Sequence, residues 1–226
     1  MNNIDENKLD NPVLNSLSEN HEKFCLDYNG VKFYNPDYCP FGGFINLEKT
    51  EKATADYASL CENFYIVGEK PSISSPLKII KELVCLQMII SKKIQLTPKN
   101  EIIKLTDEHT KELLDLVNLV QPGYFKPKTA ALGNYYGILI DKKLIAVAGE
   151  RMKMNHFTEV SAIITHPDYT GKGYAKQLTA YVVNKIFEEG KTPFLHVVES
   201  NIGAVKLYEK LGFVTRRKMS FWNISK

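Results

Sequence analysis

The chain has 226 residues, 44% of them hydrophobic and 24% charged. That globular balance excludes a mostly disordered chain, a collagen-like fibre and a disulfide-stapled miniprotein. The net charge of +3 hides an asymmetry: residues 1–95 carry 10 Lys/Arg against 13 Asp/Glu, and residues 96–226 carry 19 against 13.

The longest uncharged apolar run, Leu83–Ile90 with Gln87 inside it, is far short of the roughly 20 residues of a spanning helix. The acidic start lacks the basic and apolar regions of a signal peptide, so a cytoplasmic protein with no membrane partner is expected. Cys25, Cys39, Cys61 and Cys85 all lie in the first half without a CxxC pair. They read as reduced thiols and not as a metal site, with a Cys25–Cys39 bridge as the alternative. No internal repeat is present.

Residues 1–20 read as a partly frayed, Asn/Ser/Glu-rich start. Phe24–Tyr34 reads as a hairpin around Asn29-Gly30. Lys49–Asn63 reads as a helix and Phe64–Val67 as a short strand. Glu82–Ile90 fits a buried strand or a short helix equally well. Thr97–Asn100 is the candidate linker between a segment 1–95 and a domain 98–226. In the second segment, Asp107–Val120 has an apolar helical face with Thr106 placed to cap it. Tyr135–Ile140, Leu144–Met154 and Val160–Thr165 read as strands, the first two joined by Asp141-Lys142-Lys143. Gly173–Glu189 is a helix with Gly190 at its end. Phe194–Val198 is a strand, Asn201–Leu211 a helix, and Phe213–Arg217 and Ser220–Ile224 are two closing strands. The alternation predicts an α+β fold, a mixed central sheet flanked by helices.

The sharpest local feature is Thr170-Gly171-Lys172-Gly173-Tyr174-Ala175, a glycine-rich turn between a strand and a helix. A helix start leaves N–H groups without partners and favours negative charge. Glycines let a phosphate approach the backbone. A P-loop would need Ser or Thr after Lys172, and a dinucleotide fingerprint would need Gly at position 176, which is Lys. A tight turn that binds nothing is the alternative.

This stretch resembles the pyrophosphate-binding loop of the GNAT superfamily of acetyl-CoA-dependent N-acetyltransferases, Arg/Gln-x-x-Gly-x-Gly/Ala. It matches from Gly171 onward, and Thr170 replaces the usual Arg or Gln. Glu159-Val160-Ser161-Ala162, Pro193–Val197, Asn201 and Ala204–Phe213 recur in the same order. Together they resemble the FR-type, glycine-N-acyltransferase-like branch over about residues 98–226. Residues 1–95 are similar to an N-terminal α/β extension, a candidate degenerate half-domain.

The resemblance implies acetyl-CoA as cosubstrate, no metal, and direct acetyl transfer to a primary amine of a small molecule or amino acid. It implies that Ile163, Ile164 and Thr165 meet the pantetheine arm, with a backbone N–H near Ile164 facing the oxyanion. Thr170, Gly171, Lys172, Gly173, Tyr174, Ala175 and Lys176 would hold the pyrophosphate, and Asn201 the pantetheine or its own helix end. It makes Glu159 the first candidate base, with Glu150 and His196 as alternates, and Tyr208 the candidate acid. Strand alternation puts Glu159, Ser161, Ile163 and Thr165 on one face. The competing readings are a CoA-binding module without turnover and a nucleic-acid binder built on Arg216-Arg217-Lys218. The latter has no recognisable motif, so no nucleic-acid partner is expected. Monomer and homodimer both remain open.

Overall fold

The computed structural model describes residues 6–226. Its first segment begins with α1 (Pro12–Ser18), which starts at a proline and is capped by Asn11 Oδ1, 3.3 Å from the Leu14 amide. This helix falls in the stretch expected to fray. It is held because Leu9, Val13, Leu14 and Leu17 are buried. Strands β1 (Cys25–Tyr28) and β2 (Val31–Tyr34) form the expected hairpin, with Asn29 at φ 56 and Gly30 at φ 91. Then come β3 (Phe41–Phe44), α2 (Thr50–Tyr57), β4 (Asn63–Val67) and β5 (Lys78–Ile89). The ambiguous apolar run is therefore a strand.

The second segment contains β6 (Ile103–Lys104), α3 (Thr110–Val120), β7 (Tyr135–Ile140), β8 (Lys143–Lys153) and β9 (Phe157–Thr165). It closes with α4 (Tyr174–Glu188), β10 (Thr192–Val198), α5 (Ile202–Lys210) and β11 (Val214–Ser225). The two expected closing strands are one strand, bent by a register shift between Thr215 and Arg217. Thr106 caps as expected, in a reciprocal arrangement with His109. All four cysteines are free thiols.

The strands form one mixed sheet in the order β1-β2-β3-β4-β11-β5-β10-β9-β8-β7-β6. The two segments do not form separate layers, because β5, which precedes the Thr97–Asn100 link, lies between β10 and β11. On one face, α4 and α5 cover a core that includes Met88, Ala146, Val160, Leu178, Val182, Leu195, Val197 and Tyr208. On the other, α3 packs Leu113, Leu116 and Val117 against Tyr135, Val147 and Ile164. The first-segment helix α1 rests on β2, β3 and β8.

Two backbone features open the sheet at its centre. Parallel β9 and β10 pair only through Phe157–Glu159 and Thr192–Phe194. Beyond that point β9 follows β8, and β10 follows β5, so the strands diverge. Within β9, Ala162 takes φ 49, and the register passes from Val147↔Ile164 to Gly149↔Ser161. This bulge inserts one residue and reverses the alternation. Val160 and Ile163 therefore both belong to the α4 side, while Ala162 and Ile164 pack on the α3 side. The expectation that Glu159, Ser161, Ile163 and Thr165 share a face fails for this reason.

Gly149, beside the bulge, lies opposite Tyr135, and an added Cβ would come within 2.3 Å of the ring of that buried tyrosine. Gly149→Ala is expected to lower unfolding stability by about 1–3 kcal/mol through overpacking. Urea denaturation monitored by circular dichroism checks this, and an unchanged midpoint would contradict the close approach.

Candidate active site

The divergence of β9 and β10 leaves a cavity of about 450 Å³ that reaches both faces of the sheet. Asn201, Ala204 and Tyr208 of α5 line one end. Phe41, Leu83, Cys85, Tyr124, Arg151, Glu159, His196 and Phe221 line the other, and Ser161–Ile164 run between the ends. Of the sequence-derived candidates, Glu159, Ile163, Ile164, His196, Asn201 and Tyr208 meet here.

Glu159 is 1% exposed. Arg151 grips it with two parallel bonds, Nε to Oε2 at 2.7 Å and Nη2 to Oε1 at 2.8 Å. His196 Nδ1 reaches Oε1 at 2.8 Å. Burial alone would raise the carboxyl's pKa. The charge and hydrogen bonds of Arg151, then those of His196, outweigh burial and hold it down at about 2. The guanidinium also lies over the Phe41 ring, 4.7 Å from its centroid. A carboxylate so strongly held is a poor proton acceptor. Three of its lone-pair positions are taken, and one on Oε2 is left to hold a donor. Glu159, the first candidate base, thus stands as a held carboxylate with one open position on Oε2.

His196 is sandwiched, its other nitrogen 3.1 Å from Gln87 Nε2. Glu150, the other alternate, does not line the cavity. It is fully buried, and its Oε2 accepts from the Asn134 amide at 3.0 Å and from Lys153 Nζ at 2.8 Å. Tyr208 is 7% exposed, and among the described residues its hydroxyl has no hydrogen-bond partner. Burial pushes its pKa well above the ordinary phenol value, so it remains a proton carrier aimed into the cavity. Asn201 caps α5, Oδ1 accepting from the Ala204 amide at 3.2 Å, and also lines the cavity.

The glycine-rich turn lies at the start of α4. Gly171 and Gly173 both take left-handed φ, 77 and 78, and neither would meet a neighbour within 4 Å if it carried a Cβ. The first α4 amide to reach a carbonyl is that of Gln177, on Gly173 at 3.2 Å. The amides before it in the first turn are thus open, as an anion requires. The side chain of Tyr174 turns into the α4 core. Lys172 lies over the Tyr169 ring at 5.1 Å, while Lys172 and Lys176 stay exposed. These residues fit a phosphorylated ligand. Among the described residues, no group of three or more His, Cys, Asp or Glu is placed to hold a metal ion, and no helix is long and apolar enough to cross a membrane. The basic triplet is paired: Arg216 and Arg217 share Asp10 at 2.7 and 2.8 Å, and Lys218 meets Glu199 at 2.5 Å.

Arg151, Gln87 and the aromatic wall of Phe41, Tyr124 and Phe221 were not singled out from sequence. Hairpin pairing across 154–156 would have brought Arg151 near Glu159, since Glu150 pairs with Val160 and Lys153 with Thr158. The lone polar residue in Leu83–Ile90 was the signal for Gln87. The wall comes from distant parts of the chain and has no local signature.

The family pattern described as FR47-like protein matches residues 135–222. A GNAT-family protein from Novosphingobium aromaticivorans, designated an acetyltransferase, is 32% identical over 96% of this chain and 98% of its own, with a TM-score of 0.86. At the level of fold, the GCN5-related N-acetyltransferase from Kribbella flavida aligns over 95% of both chains at 13% identity and TM-score 0.62. A GCN5-related N-acetyltransferase-like protein from Streptococcus suis aligns over 85% of this chain and 82% of its own, at 16% identity and TM-score 0.57. No curated protein sequence matches. The fold implies use of an acyl-CoA. With near-complete coverage by a relative of the same family, and a glycine-rich helix start beside a splayed sheet, the chain belongs to the GNAT family of acetyltransferases, with an FR47-like C-terminal part.

Proposed function

We propose that the protein transfers an acetyl group from acetyl-CoA to a primary amine of a small molecule. The observation that carries this reading is the cavity open to both faces at the β9/β10 divergence, with an unpartnered Tyr208 hydroxyl at one end and the Glu159 carboxylate at the other. The pyrophosphate belongs at the open amides of Gly171–Lys176, on the strand-to-helix turn that leads out of β9. The basic excess of residues 96–226 suits that anionic ligand. The opposite end, walled by Phe41, Leu83, Cys85 and Phe221 from both segments of the chain, is the acceptor's.

The steps follow from the side chains. The spare Oε2 position of Glu159 holds the amine by one N–H. Because the carboxyl's pKa is about 2, it orients the amine without taking its proton, and that proton leaves to water through the open cavity. The uncharged amine attacks the thioester carbonyl carbon, and the nitrogen, now positively charged in the tetrahedral intermediate, gives up one further proton to water before the amide forms. A backbone N–H at the Ala162 bulge, near Ile164, faces the developing oxyanion and needs no reorganisation. When the carbon–sulfur bond breaks, the Tyr208 O–H donates to the departing sulfur. Its raised pKa favours stabilisation by a hydrogen bond over complete transfer, and solvent supplies the thiol proton. The net change is one amide formed and one thioester broken.

Glu159 is ionised throughout the ordinary pH range, so the amine sets the pH dependence. kcat/KM is expected to rise with pH toward the amine's own pKa, about 7.7–8 for an α-amine and about 10.4 for a lysine-like amine. A plateau beginning below pH 7 with a lysine-like amine would reveal a base on the protein. Tyr208→Phe should lower kcat by about 10²-fold, with acetyl-CoA affinity unchanged by calorimetry. Equal turnover on a good acceptor would remove Tyr208 from the mechanism. Gly173→Glu puts a carboxylate on a left-handed backbone at the anion site, and acetyl-CoA binding by calorimetry should vanish. Retained binding would move the pyrophosphate elsewhere.

A further inference from the structure

Gln87 lies on β5 in the middle of the sheet, with 0% exposure. Two partners fix the direction of its amide. Arg216 Nη1 donates to Oε1 at 3.1 Å, and Nε2 donates to the Leu9 carbonyl at 2.8 Å. Turned over, the amide would set N–H groups against a guanidinium and an oxygen against a carbonyl. Arg216 is itself held, by Asp10 at 2.7 Å and by the Glu6 carbonyl at 3.1 Å.

The remaining hydrogen of Nε2 is directed at His196 Nε2, 3.1 Å away. An amide nitrogen offers no lone pair, so His196 Nε2 accepts and the ring proton lies on Nδ1. That proton is the one donated to Glu159 Oε1 at 2.8 Å. In the other tautomer, a nitrogen lone pair would face a carboxylate oxygen at that distance. The groups around His196 are thus Gln87 from β5, Glu159 from β9 with Arg151 behind it, and Arg216 of β11 acting through Gln87. The rings of Phe194 and Phe221 meet it edge to face, at 5.6 and 5.3 Å.

We infer that Gln87 is a positioning residue for the amine acceptor. By excluding a proton from His196 Nε2, alongside the demand of Glu159 for one on Nδ1, it keeps Glu159 Oε1 occupied and leaves Oε2 turned to the amine. This rests on the reading that Glu159 anchors the amine. It also gives the strand inserted from the first segment a task in the reaction beyond walling the cavity.

The test begins with the full chain labelled with ¹⁵N at histidine. The chain has 5 histidines, so the His196 signals are assigned by their loss in His196→Asn. The wild-type signals should report a protonated Nδ1 and a bare Nε2. Gln87→Met keeps the side-chain length but removes the donor. Its His196 signals should shift to a mixture of tautomers, and the amine KM should rise about tenfold, the worth of one buried hydrogen bond. Acetyl-CoA affinity should not change. Arg216→Met leaves Gln87 in place and frees its amide to turn, while also removing the bonds of Arg216 to Asp10 and the Glu6 carbonyl, so it should move the tautomer and the amine KM the same way by less. A wild-type His196 protonated on Nε2 overturns the inference, whether or not any variant folds. So does a Gln87→Met protein that retains both the Nδ1–H tautomer and the wild-type amine KM. The spectrum needs no acceptor, so failure to find acetyl transfer to any amine would count against the proposed function and not against the tautomer.

Discussion

A carboxylate with 1% exposure at the centre of a sheet is the constraint around which this site is arranged. Removing Glu159 from water costs several kcal/mol unless its charge and lone pairs are met. They are met by groups from two other strands, Arg151 on β8 and His196 on β10, and the histidine is braced in turn by β5 and β11. The chain of contacts runs from Arg216 through Gln87 and His196 to Arg151, and it crosses the linker region of the sequence. Residues 1–95 are part of the site for this reason. Deleting them would remove Gln87 and Phe41 and leave the Arg151–Glu159 pair with an open side.

The same constraint bears on the chemistry. A carboxylate used as a general base needs a pKa near the working pH, which enzymes reach by burial and like charges. Glu159 is buried, but a bidentate arginine more than offsets the burial and drives the pKa the other way. Glu159 and Arg151 thus form a buried ion pair, with the carboxylate kept ionised by its partner.

Much of the second segment was legible in the sequence because its signals are local. The apolar stripe of α4, the glycine at its end and the turn at Gly171–Gly173 each depend on residues close in the chain. Three things were not legible. Ala162 has a left-handed backbone without being glycine, and no composition rule marks an alanine as a bulge, so strict alternation sets Glu159 and Ile163 on one face when they lie on two. The strand character of Leu83–Ile90 depends on partners more than a hundred residues away in β10 and β11. The burial of α1 depends on β8, so a polar-looking start concealed Leu9, Val13 and Leu17. Arg151 shows the general difficulty at the site. As a lone arginine in a strand it is unremarkable, and it matters only because hairpin register sets it beside Glu159.

The divergence of β9 from β10 and the bulge at Ala162 follow one another on the same strand. Up to Glu159, β9 is paired on both sides, with β8 and with β10. A strand buried between two neighbours has all its amides and carbonyls in ladders and nothing to offer a ligand. The ladder with β10 ends at Glu159, and the extra residue at Ala162 bends the strand a little further along. One edge of Ile163–Thr165 is thereby released while the other stays in register with β8. The cost of unpaired backbone groups is met only when a ligand or water supplies partners. The gap in mid-sheet thus leaves one edge of Ile163–Thr165 outside the ladder, and the turn at Gly171–Gly173 follows on from that strand.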